Sequence, residues 1–516
     1  MMMMGEGSSP IHARSSLSNI AIAARVDKLC MRRILSSFLP FVVVFLCLFA
    51  GMAACGGEHR PSSPPSPPSP SSLAEHRTTL ILWHAWSSPD QHVLANLVDH
   101  FNQTHPTIQI VLQAMPIASL TDDLRAAAMA GSGPHLVVLQ NHVIGDLARD
   151  ELLLPLDTFF SSIEQDLLLP TAVNGAIAYG GSDDALHLYG IPFTFNTLGL
   201  FYHKQHIHIP PPDIETLSHL AHMLVGPTTT PAISHTPAEG MQDNEQREQR
   251  EQRELQGQQG QQRSQNGEDN QQRAPNLVQT WGFAYTLSFD RTIGYLSAFG
   301  GAIFDPYGSL ILGEKGRDGT ERWLEWLASM NRDPHILAVK DSITVDSMLK
   351  AHRTWMTIDW AHTLPTYRTL WGEQLGVAKL PRVAATQRAP KPYVQSNVVS
   401  INARVVAGEE RRAALSFVRY LMSEHAQYTL LEAGKQPTLL DLRLEGDTPL
   451  REAARIFRSQ AQEGQPMPNT RIVNEVVREE IERMQMTVLR GLMSPTDAVS
   501  HTETTLRERL RAHPRP

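Results

Sequence analysis

Between Leu80 and Leu139 short apolar runs alternate with helical stretches, and this alternation limits the fold more than any other feature of the chain. Leu80-Ile81-Leu82-Trp83 reads as a strand. Ser88-Pro89-Asp90-Gln91 then supplies an N-cap serine, a proline at the first helical position and a capping-box glutamine. Val93, Leu94, Leu97, Val98 and Phe101 mark one face of the helix that follows, and His105-Pro106 ends it. A second strand is expected at Ile108 to Leu112, a second helix from Ser119 to Ala130, and a third strand at Leu136 to Leu139 after the break Gly131-Ser132-Gly133-Pro134. Strand and helix alternating through short connections predict an α/β fold whose parallel-rich sheet is covered by helices on both faces.

Ligands of such sheets sit beyond the carboxyl ends of the strands. Those ends carry His84, Ala85, Trp86 and Ser87 after the first strand, and Gln140, Asn141 and His142 after the third. An indole face with amides, a hydroxyl and imidazoles suits a neutral polyhydroxylated ligand, which stacks its C–H faces on rings and pairs its hydroxyls with amides and carboxylates. Trp83, inside the strand, is expected in the core.

Upstream, Met31 to Gly57 places Arg32 and Arg33 before an apolar run and then Ala53-Ala54-Cys55, the pattern of a secretion signal. Met52-Ala53-Ala54-Cys55-Gly56 resembles the lipobox of bacterial lipoproteins, with Met52 where leucine is usual. The resemblance implies that cleavage leaves Cys55 as the first mature residue, carrying lipid. Pro40 and the Gly/Ala-rich end leave the run short of the ~20 apolar residues a membrane span needs. Of three cysteines, Cys30 and Cys47 fall in the removed leader, so no internal disulfide is expected. Met31 is expected as the functional start. The following Pro61 to Ser72 reads as an extended tether.

The remainder is large enough for two domains. A hydrophobic fraction of 41% and a formal net charge of -8 suit a globular body and offer no basic face for nucleic acid. From Thr228 to Ala274 a Gln/Glu/Arg-rich stretch has almost nothing apolar to bury, and a disordered surface insertion is expected.

Enzyme signatures are missing from the sequence. It has no Gly-x-Ser-x-Gly elbow, no His-Glu-x-x-His and no Gly-rich phosphate loop followed by lysine. The loops after the first and third strands hold none of the paired acids of a glycosidase. No catalytic residue, metal or cofactor is expected. His203-x-x-His206-x-His208 has a spacing compatible with metal ligands, but three prolines follow at once and an exposed loop is the expectation. Trp323, Leu324, Leu327 and Met330 stand at helical spacing as core. Arg411 and Arg412 head an amphipathic helix as its solvated face.

Taken in order, ILWHAWSSPDQHVLANLVDHFNQTHPTIQIVLQ, DLRAAAMAGSGPHLVVL, LYGIPFTFNTLGLFYHKQ, AFGGAIFD, TWMTIDWAHTLPTY, SNVVSINARVVAGEERRAALSFVRYLMSEHAQ and QPMPNTRIVNEVV resemble the extracellular solute-binding proteins of ABC importers, most of all the sugar-binding, maltose-type family. The resemblance implies a periplasmic-binding-protein-like fold (type II) with two α/β lobes hinged about a cleft. The implied division is 1–54 leader and signal, 55–77 lipid-anchored tether, 78–194 with 341–400 as first lobe, 195–340 with 401–516 as second, and 228–274 as insertion. It also implies a monomer at the extracytoplasmic face that captures a carbohydrate and delivers it to permease subunits. Residue by residue it nominates Asn196 in the first crossing strand, Asp359 and Trp360 in the segment that has lost its usual Gly-Pro pair, Asn397 beside Ser396, and Gly301 of the pair Gly300-Gly301. These join Trp86, Ser87, Gln140 and Asn141 as expected ligand contacts. Val477 replaces the tryptophan that stacks on sugar in the maltose binder, which argues against maltose itself. A lipoprotein binding a metal ion or polyamine is the second reading, and a surface glycosidase the third.

Overall fold

The computed structural model of the chain describes residues 77–181, 185–225, 279–305, 308–446 and 448–511, all within the unit Ala74–Pro516. The leader, Cys55, the tether up to residue 76 and the expected insertion 228–274 lie outside the described residues.

The amino-terminal alternation folds as read. Strands β1 (Thr78–His84), β2 (Ile108–Ala114) and β3 (Leu136–Gln140) are parallel, with β1 between the other two. The intervening helices are Asp90–Thr104, which buries Leu94, Leu97, Val98 and Phe101, and Leu120–Met129. The first helix starts without the expected capping box. Pro89 is its N-cap residue, no side chain caps it, and the Ser87 carbonyl takes the Gln91 amide instead.

Two short strands, β4 (Ile177–Gly180) and β5 (Ala185–Leu188), pair antiparallel. Strand β6 (Ile191–Asn196) then belongs to the first sheet, and β7 (Leu198–His203), one residue further on, to another. The chain crosses between lobes there, at Thr197. Next come β8 (Phe283–Thr286) and β9 (Ile336–Val339), parallel to each other, then β10 (Met356–Trp360) and β11 (Leu375–Ala378), which flank β7 antiparallel. Strand β12 (Tyr393–Ile401) returns to the first sheet, and the two-residue strands β13 (Gln436–Pro437) and β14 (Gln465–Pro466) complete it. That sheet runs β13-β6-β12-β3-β1-β2, with β14 alongside β12.

Side-chain alternation separates the cores of the second lobe. Along β7, Leu198, Leu200 and Tyr202 enter one apolar cluster with Met356, Ile358 and Trp323, while Phe201 enters another with Tyr367, Leu375 and Phe457. The period of two places successive side chains on opposite faces, so this small sheet is buried on both sides. Trp323, Leu324, Leu327 and Met330 pack inward on the helix Arg317–Arg332, as their spacing predicts.

Packing exchanges two of the expected segments. Strands β10 and β11, from the 341–400 stretch expected in the first lobe, pair with β7. The helix Glu409–Leu421, from the stretch expected in the second, buries Phe417, Val418 and Leu421 in the cluster that holds Leu80, Leu82 and Leu136. Helix and strand content is a local property, but the sheet a strand joins is set by partners far away in sequence. Arg411 likewise turns inward, donating from Nη2 to the Val405 carbonyl at 2.7 Å.

Candidate functional site

A cavity of about 320 Å³ opens where the carboxyl ends of β1 and β3 meet the crossing strands. It is within the range of small-ligand sites. The turn after β1 supplies Trp86 and Ser87. His84, fully buried, accepts the Trp86 amide on Nδ1 at 3.2 Å and so shapes that turn. The Trp86 ring stacks on Phe193 of β6, with centroids 5.6 Å apart, and its Nε1 donates to Asn397 Oδ1 at 3.2 Å. Asn397 Nδ2 donates in turn to Thr194 Oγ1 at 2.9 Å. The indole, one of the residues lining the cavity, is therefore held on one face and at its tip.

Amides line the adjoining wall. Gln395 Nε2 donates to Gln140 Oε1 at 3.1 Å, joining β12 to the end of β3. Asn196, where β6 ends, faces His362 in the turn after β10. Its Oδ1 accepts the His362 amide at 3.1 Å, and its Nδ2 lies 3.0 Å from His362 Nδ1. An amide nitrogen has no lone pair to offer, so Nδ1 accepts and the imidazole proton sits on Nε2. Burial holds both His362 and His142 below the ordinary imidazole value. With Nδ1 engaged by Asn196, His362 keeps its Nε2–H as a donor.

Lys435 and Gln436 close the floor. Lys435 pairs with the Asp90 carboxylate at the start of the first helix, and its Nζ lies 5.7 Å from the Trp86 ring centroid. Gln436 is only 2% exposed, and neither its amide oxygen nor its amide nitrogen has a partner. Buried polar groups are almost always hydrogen-bonded. Both amide atoms lie buried behind the cavity wall that Gln436 helps to line.

Five of the nine expected contacts line this cavity: Trp86, Ser87, Gln140, Asn196 and Asn397. Four do not. Asn141 is fully buried, donating to the Met467 carbonyl at 3.0 Å and accepting the Ser396 amide at 2.9 Å, so it staples three segments together. Asp359 is held by Arg291 Nη2 at 2.6 Å, the Tyr367 hydroxyl at 2.8 Å and its neighbour's amide. Trp360 packs in the second-lobe core with Met356 and Ile358. Gly301 follows Gly300, whose φ of +92° favours glycine, and a Cβ on Gly301 would meet Leu296 Cδ1 at 2.4 Å; the pair turns the chain and does not reach the cavity.

Sequence reasoning did not nominate His362, Lys435 or Gln436 as contacts. Gly434 after the helix Glu424–Glu432 signals a helix stop and nothing about the residues that follow. The histidine triplet does not gather as ligands. His203 is buried at the end of β7 rather than in an exposed loop, and both its ring and that of His206 pack on Trp355, at 5.6 and 3.8 Å between centroids.

Two α/β lobes joined by crossing strands, with a cavity of amides and one indole at the crossing, define a solute-binding protein of the hinged, periplasmic type. The chain belongs to the bacterial extracellular solute-binding protein family, whose model matches residues 96–447. A maltotriose-binding protein from Pyrococcus abyssi (strain GE5 / Orsay) is 30% identical over 140 residues, which are 27% of this chain and 29% of that protein. The aligned part is thus less than a third of that relative. Among solved structures, a maltose/maltodextrin-binding domain from Bdellovibrio bacteriovorus bound to maltotriose superposes with a TM-score of 0.58 at 20% identity, covering 84% of this chain and 100% of that one. A maltose-binding periplasmic protein from Listeria monocytogenes in complex with maltose gives 0.63 at 15% identity, over 85% and 100%. At such identities the likeness establishes the fold.

Proposed function

We propose that this protein is a carbohydrate receptor, anchored through lipid on Cys55 at the extracytoplasmic face of a bacterial membrane, that hands its ligand to the permease of an ABC importer. The observation that carries this reading is the pairing, in one cavity, of the braced Trp86 indole with the unpartnered amide of Gln436. A sugar offers an apolar C–H face for the first and hydroxyls for the second. Asn196, Gln140, Gln395 and the neutral His362 add hydroxyl partners around them.

The charge of the lining supports a neutral ligand. Its one carboxylate, Asp90, is already matched by Lys435, which leaves no net negative charge for a metal ion or a polyamine and no acid pair for glycosidase chemistry. The sugars bound by its similar proteins make short α-glucans the first ligands to try. Val477 is buried in the core, so an aromatic platform would come from Trp86.

Titration of the full chain with maltotriose and a panel of other oligosaccharides, followed by tryptophan fluorescence and calorimetry, tests the reading. Saturable one-to-one binding that Gln436→Ala weakens at least tenfold is the expected result. Saturable binding of a polyamine or a metal ion in the cavity, with no response to any carbohydrate, would overturn it.

A further inference from the structure

Away from the cavity, two histidines and an aspartate converge on the second lobe. His222 sits in the last turn of the helix Ile214–Val225, and Asp333 and His335 lie in the connection from the helix Arg317–Arg332 to β9. His222 Nε2 is 2.6 Å from Asp333 Oδ2, and His335 Nδ1 is 3.3 Å from Asp333 Oδ1. One ligand atom from each residue lies within 4.8 Å of the other two, and the imidazoles are 4.3 Å apart between centroids.

The backbone brings these segments together before any ligand does. Gly282, just ahead of β8, donates its amide to the His335 carbonyl at 3.0 Å. A Cβ on Gly282 would stand 2.1 Å from the Ala221 carbonyl oxygen, so only glycine admits the end of the His222 helix at that point. One residue thus sets the spacing of both histidine-bearing segments. Asp333 is fixed as well: its Oδ1 accepts the His335 amide at 2.9 Å.

We propose that His222, Asp333 and His335 form a zinc site that clips the end of the helix Ile214–Val225 to the start of β9. Two imidazole nitrogens and a carboxylate oxygen are ordinary Zn²⁺ ligands, and bonds of ~2.0 Å in a tetrahedron place them about 3.3 Å apart, against the 2.6 and 3.3 Å that separate the two imidazoles from the carboxylate. The half-exposed His222, at 47%, leaves the fourth position to water. The site holds its ion without reference to the carbohydrate reading, since none of its residues lines the cavity.

Calorimetric titration of the chelator-stripped full chain with ZnCl₂ tests the proposal. One zinc per chain is expected, with affinity reduced at least tenfold in His222→Ala and in His335→Gln, and unchanged in His206→Ala, which alters the other histidine-rich segment. Zinc also raises the melting temperature of the unmodified chain and not of the two site variants. Absence of stoichiometric binding, or equal binding by His222→Ala and His335→Gln, would overturn it. Affinity lost in His206→Ala would do the same, by moving the ion to the 203–208 segment.

Discussion

The Trp86 indole donates from Nε1 to Asn397 Oδ1 at 3.2 Å, although 311 residues separate the two in sequence. The bond ties the turn after β1 to a crossing strand and holds the ring at the cavity. Truncation by Trp86→Ala removes the stacking face and leaves the Asn397 oxygen unpaired. Carbohydrate affinity is expected to fall by about 2 kcal/mol or more, roughly thirtyfold, as for other buried aromatic anchors. Trp86→Phe keeps part of the face and should lose less. Titrations of both variants check this, and an unchanged affinity in Trp86→Ala would remove the indole from the site.

Asp359→Ala is expected to act on stability. Its carboxylate is 6% exposed and faces Arg291, itself 13% exposed. Deleting one partner of a buried pair costs roughly 3–5 kcal/mol, because the other charge stays buried without compensation. Urea denaturation should show this loss. The opposite pattern, unchanged stability with lost carbohydrate binding, would return Asp359 to the ligand.

Stability is expected to fall as pH drops from 7.5 to 5.5. Burial holds the imidazoles of His84, His142 and His362 below the ordinary 6.5. On unfolding they regain that value and take up protons, so near and below pH 6.5 the unfolded chain binds more protons than the folded one. Their favourable contribution is complete above 6.5 and is lost as pH falls from there toward each folded value. Carboxylates held low, such as Glu164 and Asp341, lose their contribution only below the ordinary carboxylate range and do not offset this trend. Melting temperatures across the range measure it, and His142→Asn should flatten the slope. A flat profile in the unmodified protein would contradict the assignment.

Gly282→Ala places a methyl against the Ala221 backbone, which cannot rotate aside. A loss of about 1–3 kcal/mol is expected from the forced shift of the helix end, seen as a lower melting temperature. Full stability in the variant would mean that the helix moves freely at that point.

Cys55→Ser is expected to abolish membrane attachment and leave the folded body unchanged. Two acyl chains give stable anchoring, at ~0.8 kcal/mol per buried methylene, where the apolar signal is cleaved away. Fractionation and incorporation of labelled lipid decide it, and label on the serine variant would end the lipobox reading.

What the sequence by itself determined is local. The helix read from Ser119 to Ala130 runs Leu120–Met129, and the three first strands lie where the apolar runs put them, because backbone periodicity and breakers act over a few residues. The strand-end rule likewise located Trp86, Ser87 and Gln140 at the cavity. Beyond that distance only tertiary structure decided. Gln140 and Asn141 are neighbours with similar amides, yet one lines the cavity and the other binds the backbone of Met467 and Ser396, more than 250 residues away. Asp359 became half of an ion pair because the fold brings Arg291, 68 residues away, to 2.6 Å from its carboxylate. Gln436 came to line the cavity because its short strand docks on β6, where its amide finds no hydrogen-bond partner. A polar side chain takes its role from what the fold sets within about 3 Å of it, and the sequence does not carry that neighbour in its order.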